Sequence, residues 1–386
     1  MLRQYKLKNY NFRLIIWLLI ISTLGVLLVG SAESSLQDRQ MYGVIAGLVI
    51  MVIVSLMDYS WLLNFYWIIY VLNLALLVLV VVAGSTVGGA SRWIVIGGDN
   101  GFQFQPTEIA KIFLIMFFAM FLMKHEDDLN TLKTIVKAVV LLLIPLALVA
   151  SQPDLKNTIT IAVIFCILMY AAGLSYKIIG GILLVAVPLV LVGIFLITQT
   201  DLPIIDDYQK ERIMTFLNPD DEEYSESAMQ QNNSITAIGS GQLTGKGLNN
   251  NEVSSSNRGN FVAEIQTDFI FAVAGEELGF VGCFAILLLL FLIVLECILI
   301  GRRAKDQAGT LICCGVASLV AVQSFINICV ATGLMPNTGT PLPFVSYGLT
   351  SLISLYIGMG LVLNVGLQTR NYYGGETVNE YRIHRT

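Results

Sequence analysis

The fold is decided at Phe12–Gly30, FRLIIWLLIISTLGVLLVG, an apolar run whose one charge, Arg13, stands at its start. A helix rises about 1.5 Å per residue, so this run matches the ~30 Å hydrocarbon thickness of a bilayer. Arg3, Lys6, Lys8 and Arg13 open it, as basic residues open a signal peptide. Yet no small-residue cleavage site with a polar domain follows, and another apolar run begins near Tyr42. The reading is a retained first membrane helix.

The pattern then repeats. Apolar spans are predicted at 12–30, 42–57, 61–83, 106–123, 136–151, 157–173, 178–199, 267–300, 308–332 and 345–366. The expected fold is an all-α integral membrane protein of about ten transmembrane helices. Of 386 residues, 56% are hydrophobic and 13% charged, with mean hydropathy +0.75. Soluble domains carry about 25% charged residues, and no single soluble core could bury so many separate apolar runs. The net charge of −5, without a basic stripe, argues against a nucleic-acid partner. Cys166, Cys283, Cys297, Cys313, Cys314 and Cys329 all fall inside apolar runs without ligand-like spacing, and read as small buried hydrophobes.

Basic residues set the orientation. With the N-terminus inside, 14 of the 22 Lys and Arg fall in inner segments or adjoining span ends. Only seven fall outside (Arg39, Arg92, Lys156, Lys210, Arg212, Lys246 and Arg258), and Lys111 lies within a span. Excess positive charge inside puts both termini in the cytoplasm. The chain then divides into a cytoplasmic start (1–11), one polytopic domain (12–370) and a cytoplasmic tail (371–386). Two outer segments are long, one from Gly84 to Gln105 and one from Thr200 to Gln266, between spans seven and eight. Polar connections of that length are usually functional or disordered. The acidic run Asp220–Glu226 reads as a solvated face.

Ionisable groups at membrane depth are site candidates by default. The fourth span opens QPTEIAK, residues 105–111, with proline in the first turn, where its missing N–H costs nothing. Glu108 and Lys111 share a helix face and are expected to pair; the pair either sets helix packing or offers a lysine to an anionic substrate. Asp154, in Gln152-Pro153-Asp154, is either a turn residue accepting backbone N–H bonds or a site residue. The eighth span opens EIQTDFIF, residues 264–271. A helix there would stack Glu264 and Asp268 on one face. A like-charged neighbour makes a carboxylate readier to take a proton, which suits a general base; an N-terminal helix cap is the other reading. Glu276 and Glu277, deeper in that span, are expected to be hydrogen-bonded internally. The segment from Thr332 to Gly348 carries three prolines and three glycines, and is incompatible with regular helix. Irregular backbone survives in a membrane only when buried in protein or lining a wet cavity, so this is a re-entrant cavity wall. The run GSGQLTGKG, residues 239–247, looks like a phosphate loop but lacks its first glycine and has Gly247 where Ser or Thr should stand. It is set aside.

These pieces together resemble one family, the SEDS proteins (RodA, FtsW and SpoVE). The resemblance rests on GASRWI (89–94), FQPTEIAK (104–111), QPDL (152–155), ERI (211–213), AIGSG (237–241), QTDFIFA (266–272) and PLPFVSYG (341–348), in the family's order. It implies a peptidoglycan glycosyltransferase that polymerises lipid II outside the membrane of a bacterial cell and releases undecaprenyl pyrophosphate. It implies that Asp268 carries the family's essential aspartate, here assigned as general base on the acceptor hydroxyl, with Glu264 tuning it or helping to hold a divalent ion. Otherwise no cofactor is implied and no metal ligands are assigned. Arg92, Lys111 and Arg212 are candidates to stabilise the leaving pyrophosphate. With Glu108, Asp154 and Ser346 they form the expected substrate-binding set. The resemblance also implies a single-span class B penicillin-binding transpeptidase as partner. Gln266, Lys156 and Leu349 depart from the family pattern, which usually has His, Gly and Gly at those places. Elongation, division and sporulation stay open as roles, with Asp58-Tyr59 and the short tails leaning to the RodA type. A lipid II flippase and a non-catalytic scaffold for a transpeptidase are the competing readings.

Overall fold

The computed structural model describes residues 10–87, 90–96, 102–152, 154–181, 184, 188, 207–218, 225–249 and 265–368. Helices α1 (Phe12–Ala32) and α2 (Ser34–Leu56) form an antiparallel hairpin, turned at Glu33, whose carboxylate caps α2. The short α3 (Tyr59–Leu63) and the long α4 (Tyr66–Ala83) follow. Then come three short strands, β1 (Ser85–Val87), β2 (Ala90–Ile96) and β3 (Phe102–Phe104), and helices α5 (Pro106–Lys124), α6 (Leu132–Ala150) and α7 (Leu155–Ala171). Two helices of the 200–266 segment, α8 (Asp207–Leu217) and α9 (Ser225–Ser240), precede α10 (Ile270–Gly301), α11 (Gln307–Ala331) and α12 (Leu349–Leu367). Eight described helices are long and apolar enough to cross a bilayer, and α7, at 17 residues, is a shorter apolar helix. The predicted seventh span, 178–199, falls almost entirely outside the described residues.

Helices α5, α11 and α12 form the buried centre, while α4 and α6 turn most of their surface outward. Close approach at the centre depends on missing side chains. A Cβ at Gly47 of α2 would lie 2.1 Å from the Tyr356 ring of α12, and one at Gly360 would meet the Met51 carbonyl at 2.8 Å. Small residues let membrane helices pack backbone to backbone, where apolar burial gives no drive because lipid is equally apolar. Polar side chains then fasten the contact: Ser22 and Tyr356 hydroxyls meet at 2.7 Å, and the Asn364 amide donates to the Ser55 carbonyl at 2.8 Å.

The structure departs from the sequence reading in three places. The all-α expectation omits the three-stranded antiparallel sheet, ordered β1-β2-β3, inside the 84–105 segment. Its strands are too short for their alternation to outweigh the flanking glycines. The predicted span 61–83 is two helices, because Asp58 caps a separate first turn at the Ser60 N–H and the chain breaks at Asn64-Phe65. The predicted helical start at 267 is instead a turn, with α10 beginning at Ile270.

A break within α10 explains the phosphate-loop lookalike. Gly279 adopts φ 64°, ψ −164°, so the helix ladder is interrupted at membrane depth. The segment after α9 replaces the missing partners. Phe280 and Val281 donate to the Gln242 and Leu243 carbonyls at 2.8 and 3.1 Å, while Lys246 and Gly247 donate to the Glu276 and Glu277 carbonyls at 2.9 Å each. Main chain must touch main chain for this, which is why glycines recur. A Cβ at Gly241 would stand 1.9 Å from the Gly275 carbonyl oxygen, and one at Gly245 would stand 2.1 Å from that of Glu277. Side chains add to the joint: Lys246 pairs with Glu276 at 2.8 Å, and Ser31 donates to Glu277. Helix α9 also caps α11, Gln231 and Ser234 donating to the Val330 and Ala331 carbonyls at 2.8 Å each. Part of the long 200–266 segment is therefore structural.

Substituting Gly245→Ala forces a methyl into the Glu277 carbonyl at a residue with φ 77°. It should destabilise the protein by at least about 2 kcal/mol, read as a lower melting temperature in detergent. Gly180→Ala, with open space around it, should leave melting unchanged.

Candidate active site

The predicted site residues fall into two groups. The first is a buried polar network at the start of α5 and α7. Lys111 donates to Glu108 at 2.9 Å and to the Asn157 side-chain oxygen Oδ1 at 3.0 Å, and is 1% exposed. The Asn157 amide turns the other way, to Thr107 at 3.1 Å and to Asp154 at 2.8 Å. Asp154, fully buried, caps α7 through the Asn157 N–H at 3.3 Å, accepts from Gln105 at 3.1 Å, and faces Arg92 of β2 at 3.8 Å. The sheet and two helices are thus tied by one set of charges. An apolar pocket between α5, α6 and α7 reaches Lys111; its lining includes none of Asp268, Arg212 or Ser346.

The second group surrounds Asp268, which lies in the turn just before α10 and is half-buried. The chain is not helical there because its carbonyls accept from other segments. The Ser346 hydroxyl donates to the Thr267 carbonyl at 2.5 Å, the Tyr347 N–H to that of Gln266 at 2.9 Å, and the Asn327 amide to that of Asp268 at 2.8 Å. Asp268 therefore stands in a turn rather than in a helix, and Glu264, expected to stack on it, lies outside the described residues. Ser346 is fully engaged, since its oxygen also accepts from the Leu342 N–H at 2.7 Å. The re-entrant segment is held at its far side by Gln40, which donates to the Ser346 carbonyl at 3.1 Å.

Opposite Asp268 stands the turn Asn337–Thr340, fixed by side chains from three helices. Arg212 of α8 donates to the Asn337 carbonyl at 2.9 Å, Lys156 of α7 to that of Gly339 at 2.5 Å, and Asn327 of α11 to that of Thr340 at 2.7 Å. Gly339 has φ 70°, and a Cβ there would lie 3.1 Å from Asp268 Oδ2 and 3.6 Å from Arg212 Nη1. A carboxylate and a guanidinium therefore flank one bare stretch of backbone, a proton acceptor and a positive charge on the same glycine. Among the described residues no three His, Cys, Asp or Glu side chains converge to hold a metal ion.

Residues 10–371 match the FtsW/RodA/SpoVE family, described as a cell cycle protein. The chain belongs to this family. Among FtsW/RodA/SpoVE relatives, it is 34% identical over 349 residues to the peptidoglycan glycosyltransferase MrdB of Escherichia coli, covering 90% of each chain. It is 32% identical over 379 residues to the probable peptidoglycan glycosyltransferase FtsW of Trichlorobacter lovleyi, covering 94% of each. The crystal structure of the Thermus thermophilus rod shape determining protein RodA is similar with a TM-score of 0.67 at 26% identity, covering 95% of this chain and 98% of that one. A chain from work on "structural coordination of polymerization and crosslinking by a peptidoglycan synthase complex" gives 0.74 at 26% identity, covering 92% and 97%. This member of the family is a multi-pass membrane protein.

Sequence reasoning missed Asn157, Asn327 and Gly339 in this FtsW/RodA/SpoVE chain. Asn327 left a signal, since Gln323, Ser324 and Asn327 put amides and a hydroxyl into an otherwise apolar span. Asn157 and Gly339 left none, because what matters is the partner that folding brings to them.

Within the buried network, Lys111→Met should cost about 3–5 kcal/mol by leaving the Glu108 carboxylate without its cation. The double variant Glu108→Gln with Lys111→Met should recover most of that loss. Thermal unfolding in detergent of the three proteins reads both.

Proposed function

We propose that this chain is a peptidoglycan glycosyltransferase that polymerises lipid II on the outer face of a bacterial cell membrane. The observation that carries the reading is the Asp268 carboxylate set against Gly339 and Arg212, in a chain belonging to a family whose named members include peptidoglycan glycosyltransferases. In the proposed reaction a sugar hydroxyl of one substrate attacks the anomeric carbon of another. Its oxygen forms the new glycosidic bond while the bond from that carbon to the pyrophosphate oxygen breaks. Asp268 takes the hydroxyl proton, and undecaprenyl pyrophosphate leaves with the bonding electron pair. Arg212 supplies positive charge where the leaving group gathers negative charge.

The other candidates serve this geometry by position. Arg92, Glu108, Lys111 and Asp154 hold the start of α7 against α5 and β2, and Ser346 holds the residues just before Asp268. Glu264 tunes Asp268 or helps hold a divalent ion. Ten spans with both termini cytoplasmic follow from the excess of Lys and Arg in the inner segments, and put Asp268 and the 200–266 segment outside. A class B penicillin-binding transpeptidase is the proposed partner, supported by the likeness to a chain of a peptidoglycan synthase complex.

Purified wild-type protein given labelled lipid II should build long glycan products. Asp268→Asn should lower that rate by at least about 100-fold, the scale of general acid–base catalysis, with melting unchanged. Equal polymerisation by the variant would remove Asp268 from the chemistry. Lipid II crossing vesicle membranes without polymer would make the chain a transporter.

A further inference from the structure

Lys156 carries a charge that the buried network does not need. Glu108 is matched by Lys111 at 2.9 Å, and Asp154 faces Arg92 and accepts from Gln105 and Asn157. Lys156 bonds outside those pairs, although Glu108 and Lys111 both lie within its electrostatic reach. Its side chain is half-buried, and its hydrogen bond among the described residues goes to the Gly339 carbonyl at 2.5 Å. An ammonium has three N–H donors. A neutral carbonyl is a weaker partner for it than an anionic oxygen, whose charge-assisted bonds are roughly twice as strong.

The place of that bond matters. Gly339 is the residue flanked by Asp268 Oδ2 and Arg212 Nη1, and Arg212 itself donates to the Asn337 carbonyl two residues earlier. Two cations from different helices therefore rest on nearby carbonyls of one turn, beside the proposed base. A diphosphate has anionic oxygens on two adjacent centres and matches such a pair better than a single phosphate does.

We propose that Lys156 is a substrate-contacting residue whose ammonium passes from the Gly339 carbonyl to the pyrophosphate of the lipid-linked sugar donor, acting with Arg212. This rests on the glycosyltransferase reading above for the identity of the donor. The Lys156 contact holds the pyrophosphate equally in the ground and transition states, while the proton still goes to Asp268. The lysine also returns to Gly339 when the product departs, so the turn keeps a partner in both states.

The test uses the full-length protein in detergent, with Lys156→Met and Lys156→Arg beside the wild type. Two probes, inorganic pyrophosphate and geranyl pyrophosphate, separate recognition of free anion from that of a lipid-borne one. Lys156→Met should weaken binding of geranyl pyrophosphate by about tenfold or more, the loss of one charge-assisted bond. It should raise KM for lipid II by a similar factor with kcat changed less than about threefold, and Lys156→Arg should restore most of both. Loss for geranyl pyrophosphate alone identifies the lipid-borne anion as the ligand, and loss for both probes identifies the diphosphate itself; either supports the contact. Unchanged binding and KM in Lys156→Met overturns it, and so does a lowered melting temperature with unchanged binding, which would make Lys156 only a brace for the turn. If the wild type binds the probes through Lys156 yet makes no glycan, the contact stands and the polymerase reading falls.

Discussion

Backbone polar groups inside a bilayer have no water to turn to, and this constraint organises the molecule. Among the described residues, the chain departs from regular helix at Gly279 within α10 and along the segment before α12. Each break frees donors and acceptors that another segment must meet. At Gly279 they are met by the main chain after α9, through four backbone hydrogen bonds between 2.8 and 3.1 Å. Along the re-entrant segment they are met by Gln40, Ser346 and Asn327. α10 begins two residues after Asp268, so the re-entrant segment meets the chain just ahead of that helix. Ser346, Tyr347 and Asn327 thus fix the main chain that carries the Asp268 carboxylate.

Charge is handled in the same way. Burying Glu108, Lys111 and Asp154 would be costly for any one of them alone, and pairing with amide bridges offsets that cost. Asn157 is the hinge of the arrangement, accepting from Lys111 with its oxygen and donating to Thr107 and Asp154 with its nitrogen. The return is geometric. A network joining α5, α7 and β2 holds the first turn of α7, and from that turn Lys156 reaches the wall opposite Asp268. Deep, closed ion pairs and half-exposed cations therefore have different tasks here. The first set positions; the second faces the site.

Much of this was legible in the sequence. The apolar runs announced the membrane helices, Pro106 marked the start of α5, and spacing alone paired Glu108 with Lys111. Prolines and glycines from Thr332 to Gly348 identified a segment that could not be helix. What the sequence hid were relations between distant segments. Glu264 and Asp268 have helical spacing, but the carbonyls at 266, 267 and 268 are claimed by Tyr347, Ser346 and Asn327, and the helix starts later. The glycines at 239–247 imitate a phosphate loop because both structures demand close approach to backbone; here the object approached is a broken helix. The sheet was missed because each strand is short and its pairing is decided by partners elsewhere in the segment.

The central claim is that the Asp268 carboxylate opens to the outer side of the membrane. Cysteine placed at position 268, on a background freed of the six native cysteines, can be probed in whole cells with a thiol reagent that does not cross membranes. The account predicts labelling from outside, reduced when geranyl pyrophosphate is present. Labelling only after the cytoplasmic face is exposed, or none in either condition, would contradict it.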